Sequence, residues 1–278
     1  MGDALWIEPV LRKLSEDYKK VIVLSQFYEL FRNYPLKNVQ FRRKWNWLEK
    51  FYIKHLAPRF FKNYGIIHLD MAYENRPTKH ILDAYFEAAG YPPQHLSYPR
   101  LYLTEAEKLT DKTRPYVLLH LDPPSIMLNY RNAHGIDWQM VINHLQGLGY
   151  EVFIISNNKL GDKYNVQTVT PTIRGLISLI YNAAFFIGLD SGPSHIATCL
   201  GKPVMIFFGA VNPWLLHIKE QFAGIIMQKP CEFAGCYHDL PGGIRQPCKL
   251  VGNEGIPKCG IHTADEVIEK IKLLVAAV

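Results

Sequence analysis

Short apolar runs alternate with amphipathic stretches along the second half of the chain. The apolar runs have the length of strands and lie at 116–121, 151–155, 185–189 and 204–208. Two stretches between them, 138–148 and 173–183, repeat their apolar residues at helical spacing. Continuous apolar strands that alternate with helices are typical of a parallel sheet covered on both faces. This half of the chain is therefore predicted to form an α/β domain with a doubly wound sheet.

The first half shows the same alternation less regularly. Strands are predicted at 20–24 and 65–70, and helices at 4–14 and 78–89. Four prolines from Tyr91 to Pro115 interrupt any periodic pattern, as is typical of a connection between domains. We therefore predict two domains, residues 1–110 and residues 111–278.

Composition narrows the class of protein. Hydrophobic residues make up 48% of the 278 positions and charged residues 20%, which is the balance of a globular protein rather than a disordered one. The uncharged run Gly175–Leu189 has 15 residues, fewer than the ~20 that a membrane-spanning helix needs. No secretion signal is visible at the N-terminus. We therefore expect a cytoplasmic protein, with peripheral contact at the inner face of the membrane as one option.

Positive charge is concentrated in one segment. The formal net charge is +6, yet residues 32–62 carry nine Lys or Arg residues against the single acid Glu49. The large apolar residues that recur there at helical spacing are Trp45, Leu48, Tyr52 and Leu56. Three interpretations stay open: a core helix with a solvated basic face, contact of 42–62 with an anionic membrane or a phosphorylated glycolipid acceptor, or binding of nucleic acid. Nucleic acid is the partner that we favour least.

The most informative stretch runs from Phe185 to Pro213. Its first strand ends at Asp190, and the residues that open the following short helix are Ser191, Gly192, Pro193 and Ser194. Ligands of open α/β sheets bind at the carboxyl ends of the strands, where this helix begins. Free N–H groups and about half a positive charge at the helix start suit a phosphate or diphosphate, and His195 adds a further donor. A second interpretation stays open, in which Asp190 and Ser191 only cap the helix and His195 is a surface residue.

The order of residues in this stretch resembles the signature of glycosyltransferase family 9, the ADP-heptose:lipopolysaccharide heptosyltransferases. The shared pattern is D-S-G-P-S-H-x-A from Asp190, then G-K-P, then F-F-G and a proline four residues later. The resemblance implies the GT-B architecture, in which two Rossmann-like domains face each other across a cleft. It also implies that the second domain binds a nucleotide-sugar donor through Asp190, Ser191, Gly192, Pro193 and His195.

Two further positions match the family's pattern. Gly2-Asp3, followed by Pro9 six residues after the Asp, resembles the start of the first domain, which implies that Asp3 is the catalytic base. A carboxylate at a helix start is stabilised as an anion, which suits that role. Arg131 lies seven residues before Trp138, where the family has a basic residue that meets the donor diphosphate, and a guanidinium binds phosphate bidentately. The residues alone also allow an acid in a frayed first turn and a solvated loop arginine.

One departure from the family affects the first domain. The strand that precedes the Gly-Asp pair in the family is absent here, so we expect this domain to lack its first strand. The resemblance implies an inverting glycosyltransferase of lipopolysaccharide biosynthesis, which transfers a sugar, in the first place heptose from ADP-heptose, to a lipopolysaccharide-type or other glycan acceptor. The missing strand suggests an alternative, a catalytically silent protein that binds a sugar nucleotide or lipopolysaccharide. No cofactor is required for the implied catalysis, because fixed cations and helix dipoles hold the leaving diphosphate.

Four of the five cysteines cluster near the end of the second domain, in a segment rich in Gly and Pro. They are Cys231, Cys236, Cys248 and Cys259. One tetrahedral thiolate site would order the segment 231–259, which has no periodic apolar face of its own. Some related protein heptosyltransferases carry a cysteine-bound iron finger in this region, so the resemblance leaves iron and zinc open as a structural metal. Free thiols and disulfides remain the alternatives.

Overall fold

The computed structural model of the chain describes residues 1–43, 47–56, 65–93, 97–122, 131–239, 248–252 and 255–276. The helices are α1 (Gly2–Trp6), α2 (Glu8–Asp17), α3 (Trp47–Phe51), α4 (Ile81–Ala88), α5 (Trp138–Gly147), α6 (Ile173–Asn182), α7 (Gly192–Cys199) and α8 (Ala264–Val275). The strands are β1 (Val21–Leu24), β2 (Val39–Arg42), β3 (Tyr116–His120), β4 (Glu151–Ile155), β5 (Gln167–Val169), β6 (Phe185–Leu189), β7 (Val204–Phe207) and β8 (Gly224–Met227). The first two strands form one sheet and the other six form a second.

The six-stranded sheet has the order β5-β4-β3-β6-β7-β8, and all of its strands are parallel. The chain builds outward from β3 through β4 and β5, and then returns to the other side of β3 with β6. The carboxyl ends of β3 and β6 therefore lie side by side, with His120 opposite Gly188. The strand order reverses at this pair, and such switch points form the ligand-binding crevices of doubly wound sheets.

Alternate residues of each strand enter two apolar layers, one on each face of this sheet. On β6, Phe185 and Ile187 pack with α5 and α8, whereas Phe186 packs with α6 and α7 on the opposite face. The layer around Phe186 continues into the first half of the chain, where it includes Leu5 and Trp6. The two halves thus share one apolar core, which holds α1 against α7. The α/β prediction is confirmed, while the boundary at residue 110 stays a prediction.

The sheet of the first half is smaller than predicted. Among the described residues it consists of β1 and β2, paired from Val21 with Val39 to Leu24 with Arg42. The strand predicted at 65–70 is wrong, since these residues form no ladder. An extended segment forms a strand only where a neighbouring strand accepts and donates backbone hydrogen bonds. Residues 65–70 instead contribute apolar side chains to the core.

The helix predicted at 4–14 is interrupted. α1 ends at Trp6 and α2 begins at Glu8, with Ile7 between them. Pro9 has no N–H, and its ring would clash with the carbonyl one turn earlier, so one continuous helix cannot run through it. Pro9 instead lies in the first turn of α2, where a missing N–H costs nothing.

A buried ion pair fixes the connection between the two halves. Arg174 on α6 donates from Nε and Nη2 to the two carboxylate oxygens of Glu107, at 2.8 and 2.7 Å. The same guanidinium donates to the carbonyl oxygens of Leu30 and Tyr102, at 3.2 and 2.8 Å. Arg174, a residue of the second half, therefore contacts both the segment that connects the two halves and the first half itself.

The basic segment is described in part, because residues 44–46 and 57–64, and with them Trp45, lie outside the described residues. α3 is followed directly by a π-helical turn at Tyr52–Leu56. Leu48 and Tyr52 are exposed, so the interpretation as a core helix is wrong for both. None of the described helices is long and apolar enough to cross a bilayer.

Candidate functional site

The predicted ligand site lies at the switch point of the six-stranded sheet. β6 is buried throughout and ends at Leu189, and α7 begins three residues later at Gly192. Pro193 lies in the first turn of α7, where backbone N–H groups have no helical partner in any case. The start of α7 therefore lies directly beyond the carboxyl end of β6, as the spacing predicts.

A buried ion pair lies beside the helix start. Nη2 of Arg131 is 2.5 Å from Oδ2 of Asp190 and 3.1 Å from its carbonyl oxygen, and Asp190 is 1% exposed. Burial by itself raises the pKa of the Asp190 carboxyl, but Arg131 and His195 hold that pKa well below its usual range. Burial also opposes the charge on Arg131, yet Asp190 raises the pKa of the guanidinium overall. Both groups are therefore charged at neutral pH.

The guanidinium of Arg131 retains a donor that no described residue uses. Its Nε is buried and has no hydrogen-bond acceptor within the described part of the chain. A buried donor without a partner is costly, and it is rare in native structures unless a ligand, ion or water satisfies it. This N–H is therefore a candidate for contact with an anionic ligand.

His195 links the ion pair to the first half of the chain. Nε1–H of Trp6 donates to Nδ1 of His195 at 3.1 Å, and Nε2 of His195 lies 3.5 Å from Oδ1 of Asp190. Because Nδ1 accepts, the neutral imidazole carries its proton on Nε2, on the side of the Asp190 carboxylate. Both nitrogens of His195 thus face protein groups, and the ring is almost fully buried.

Ser191 turns back towards the sheet instead of capping α7. Its Oγ lies 3.0 Å from Nδ1 of His120, the last residue of β3. Ser194 Oγ donates to the carbonyl oxygen of Leu189, so neither hydroxyl accepts from the first turn. Burial lowers the pKa of His120, which keeps its ring neutral. His120 was not predicted, although a lone histidine at the end of the apolar run 116–121 was a usable signal.

Asp3 lies in the first turn of α1, and α1 packs closely on α7. A Cβ added to Gly2 would lie 2.7 Å from Cδ2 of His195, and one added to Gly192 would lie 2.6 Å from Cε of Met1. Gly2 in particular allows this close approach, because a Cβ there would meet the ring of His195, which cannot move aside as the end of the flexible Met1 side chain can. The Asp3 carboxylate is exposed, and its charge helps to raise the pKa of Arg131. The structure thus brings Asp3 near the six residues predicted for donor binding, all of which lie together.

A second contact between the two halves lies at the loop that follows β7. The backbone N–H of Asn212 donates to Nε2 of His238 at 3.0 Å, and Nδ1 of His238 lies 3.1 Å from the hydroxyl of Tyr73. The neutral ring therefore carries its proton on Nδ1 and donates to Tyr73. Burial lowers the pKa of His238 to about 4. Neither Tyr73 nor His238 stood out in the sequence, because no local pattern marks a contact between residues 165 positions apart.

The four clustered cysteines act on one another electrostatically. Burial raises the pKa of the Cys259 thiol to about 11, and the neighbouring Cys231, Cys236 and Cys248 add to the rise. All four are free thiols. Within the described ranges, however, no three His, Cys, Asp or Glu side chains are arranged to hold a metal ion.

Comparison with known proteins gives a family match and two curated relatives. A sequence profile described as glycosyltransferase family 9 (heptosyltransferase) matches residues 64–231. The autotransporter heptosyltransferase Aah of Escherichia coli is 28% identical over 154 residues, which cover 50% of this chain and 38% of Aah. Lipopolysaccharide heptosyltransferase 3 of Escherichia coli is 29% identical over 160 residues, which cover 51% of this chain and 45% of that protein. The chain thus spans less than half the length of either relative.

Among solved structures, the chain resembles the iron-containing dodecameric glycosyltransferase TibC from enterotoxigenic E. coli H10407. The TM-score is 0.75 at 20% identity, and the match covers 99% of this chain and 74% of TibC. A second TibC structure, in complex with ADP-D-β-D-heptose, gives a TM-score of 0.73 with the same coverage. At this identity the likeness shows the fold, and it confirms the predicted GT-B type α/β architecture.

Proposed function

The chain belongs to glycosyltransferase family 9, and we propose that it transfers a sugar from a nucleotide-sugar donor to a glycan acceptor with inversion at the anomeric carbon. Heptose from ADP-heptose is the donor that we propose first, because TibC, which shares this fold, has been solved with ADP-D-β-D-heptose. The acceptor class that we propose is a lipopolysaccharide-type or other glycan, in line with the name of one of the two curated relatives, lipopolysaccharide heptosyltransferase 3.

The observation that carries this proposal is the Nε–H of Arg131, for which the described residues supply no acceptor, beside a start of α7 that no side chain in the same part of the chain caps. A diphosphate placed there accepts from the buried Nε–H of Arg131 and from the backbone N–H groups of Ser191 and Gly192. Asp190 holds the guanidinium in place, and Nε2 of His195 approaches the other carboxylate oxygen of Asp190 to 3.5 Å, so we assign both residues to orienting Arg131. The guanidinium and the helix dipole then stabilise the negative charge that develops on the leaving nucleoside diphosphate.

Asp3 is the proposed general base of the reaction. It takes the proton of the acceptor hydroxyl, whose oxygen attacks the anomeric carbon while the bond to the diphosphate breaks. The packing of α1 against α7 supports this role, because it holds the helix of Asp3 next to the proposed donor site. This arrangement needs no catalytic metal, because Arg131 and the helix dipole supply the positive charge.

Transfer from ADP-heptose to a deep-rough lipopolysaccharide acceptor tests the proposal. We expect Asp3→Asn to lower kcat by about a hundredfold or more while leaving ADP affinity unchanged, since a general base acts only in the chemical step. Asp70→Asn is the matched control, because it removes another exposed carboxylate whose charge, like that of Asp3, acts on Glu74.

Each result separates the proposed function from its alternative. Undiminished transfer by Asp3→Asn excludes Asp3 as the base. Donor binding without transfer by the wild-type protein supports a catalytically silent sugar-nucleotide or lipopolysaccharide-binding protein. Arg131→Lys, which keeps the charge beside Asp190 but loses the planar fork, should weaken ADP binding by about tenfold in calorimetry. Unchanged ADP affinity in that variant would remove the assigned donor site.

We also propose that Cys231, Cys236, Cys248 and Cys259 take up a structural zinc or iron ion. The support is that Cys231, Cys236 and Cys248 lie close enough to add to the rise that burial causes in the pKa of Cys259, and that TibC is described as iron-containing. Four protein ligands leave no open position for substrate, so the ion would order the segment without entering the reaction. Metal analysis of protein purified without a His tag should find about one equivalent per chain. A metal-free protein with an unchanged melting temperature after chelation would refute the site.

A further inference from the structure

An exposed apolar surface lies on α3 and the first residue of the π-helical turn that follows it. Trp47 is 74% exposed, Leu48 57%, Phe51 53% and Tyr52 45%. Large apolar side chains are normally buried, and a contiguous exposed group of them marks a surface that contacts a partner. We call these four residues the α3 face.

Three of the four residues lie on one side of α3, and Tyr52 follows them as the first residue of the π-helical turn. Trp47, Leu48 and Phe51 follow the spacing i, i+1 and i+4, which at about 100° per residue places them within an arc of about 100°. The ring of His55 extends the same surface, since its centroid lies 4.9 Å from that of Phe51. The α3 face is therefore a continuous aromatic and aliphatic surface rather than four scattered side chains.

The α3 face lies within the most basic segment of the sequence. Arg42 and Arg43, shortly before the helix, are exposed, and by sequence residues 32–62 carry nine Lys or Arg residues against Glu49, a net charge of +8. An apolar helical face flanked by cations is the pattern of helices that lie in the interface of an anionic bilayer. Trp and Tyr suit that interface because one end of each ring is apolar and the other is polar.

We propose that the α3 face docks on an anionic lipid surface. Its aromatic rings and Leu48 enter the boundary between headgroups and acyl chains, and the flanking arginines contact headgroup phosphates. The inference stands on exposure and charge, and it does not depend on the proposed glycosyl transfer.

Two other partners fit the observations less well. In a contact with a second copy of the same face, two segments of charge +8 would lie against each other, and like charges across an interface are repulsive. Nucleic acid would use exposed rings for stacking and cations for phosphate contact, but Leu48 has no ring to stack. The lipid surface uses all four apolar residues and the surrounding charge.

Vesicle co-sedimentation tests the proposal on the full chain. Wild-type protein should bind phosphatidylcholine vesicles that contain about a quarter phosphatidylglycerol, and should bind pure phosphatidylcholine much less. The double variant Trp47→Ser with Leu48→Ser should lose about tenfold or more in partitioning. Raising the salt from about 0.1 M to about 0.5 M should weaken wild-type binding, because it screens the basic residues.

A matched control is available on another helix. Leu273 on α8 is 58% exposed, nearly the same as Leu48, so Leu273→Ser removes about the same exposed apolar surface as the single variant Leu48→Ser. Loss of binding in Leu48→Ser, the α3 variant of this comparison, but not in Leu273→Ser supports the proposal, provided that both melt at the wild-type temperature. Equal loss in both variants, or no binding to anionic vesicles, overturns it. So does a change of oligomeric state in the α3 variant without a change in vesicle binding, or tight binding of single-stranded RNA in place of lipid.

Discussion

The ion pair between Glu107 and Arg174 should determine how strongly the two halves of the chain hold together. The change that tests this is Glu107→Gln, which keeps the size of the side chain and removes its charge. Arg174 would then keep its carbonyl contacts with Leu30 and Tyr102 but lose its counter-charge. Because the Arg174 side chain is 8% exposed, water cannot replace the lost carboxylate.

The expected loss follows from the burial of the two partners. Breaking a fully buried ion pair costs about 3–5 kcal/mol, because one charge is left without compensation. The Glu107 side chain is 20% exposed, and the glutamine retains one oxygen that accepts from Arg174. We therefore expect Glu107→Gln to lower the free energy of unfolding by about 2–3 kcal/mol. Urea unfolding at neutral pH, followed by circular dichroism, measures this quantity.

The neighbouring exposed pair supplies the control. Lys108 and Glu105 lie 2.7 Å apart, but the Glu105 side chain is 89% exposed, so Glu105→Gln should cost no more than about 1 kcal/mol. If both variants lost the same free energy of unfolding, the conclusion that the pair of Glu107 and Arg174 holds the two halves together would be refuted.

The pH dependence gives a second check on the same residue. The hydrogen bond from Arg174 lowers the pKa of Glu107 to about 2, and the burial of Glu107 opposes this shift with a smaller effect. A lowered carboxyl pKa stabilises the folded state above the unfolded value of about 4.3, and this stabilisation is lost as the pH falls towards 2. The difference in stability between wild type and Glu107→Gln should therefore shrink below about pH 4.5. A difference that stays constant into that range would contradict the reasoning.

Three further predictions follow from the contacts around the site. Trp6→Phe keeps one aromatic ring but removes the N–H that sets the tautomer of His195 and part of a fully buried side chain. We therefore expect stability to fall by about 2–3 kcal/mol and calorimetry to show weaker ADP binding. Unchanged nitrogen NMR shifts at His195 would contradict the assigned hydrogen bond. Gly2→Ala places a methyl group 2.7 Å from the His195 ring and should lower the free energy of unfolding by about 1–3 kcal/mol. Gly65→Ala is the control: its methyl group has no atom within 4 Å, so the melting temperature should not change. Burial lowers the pKa of His238 to about 4, so on acidification the unfolded chain binds a proton at this histidine before the folded chain does, and stability should fall as the pH drops below about 6.5. His238→Gln should reduce the change of stability with pH, measured by urea unfolding at several pH values. An unchanged pH dependence would refute the role of His238.

The secondary structure was predictable where local signals agreed. The apolar run and turn residues around Asp190 predicted both β6 and α7, because strand length, a Gly-Pro pair and the helix start all lie within ten residues. The predictions were wrong where the structure of a segment depends on contacts with residues distant in the sequence. Residues 65–70 have the composition of a strand but no ladder partner, and Leu48 has the spacing of a core residue but lies exposed on the surface.

The sequence by itself determined the α/β class, the strand-helix-strand unit at Asp190, and the family resemblance, because each depends on residues that are close along the chain. The tertiary structure alone decided the strand order that puts His120 beside Ser191, and the packing that joins Trp6 to His195 across 189 positions. It also decided that Asp190 binds Arg131, whose Nε–H finds no acceptor in the described ranges of the chain. The physical reason is that a hydrogen bond between distant residues requires both to be placed by the whole core, and no local spacing specifies that placement.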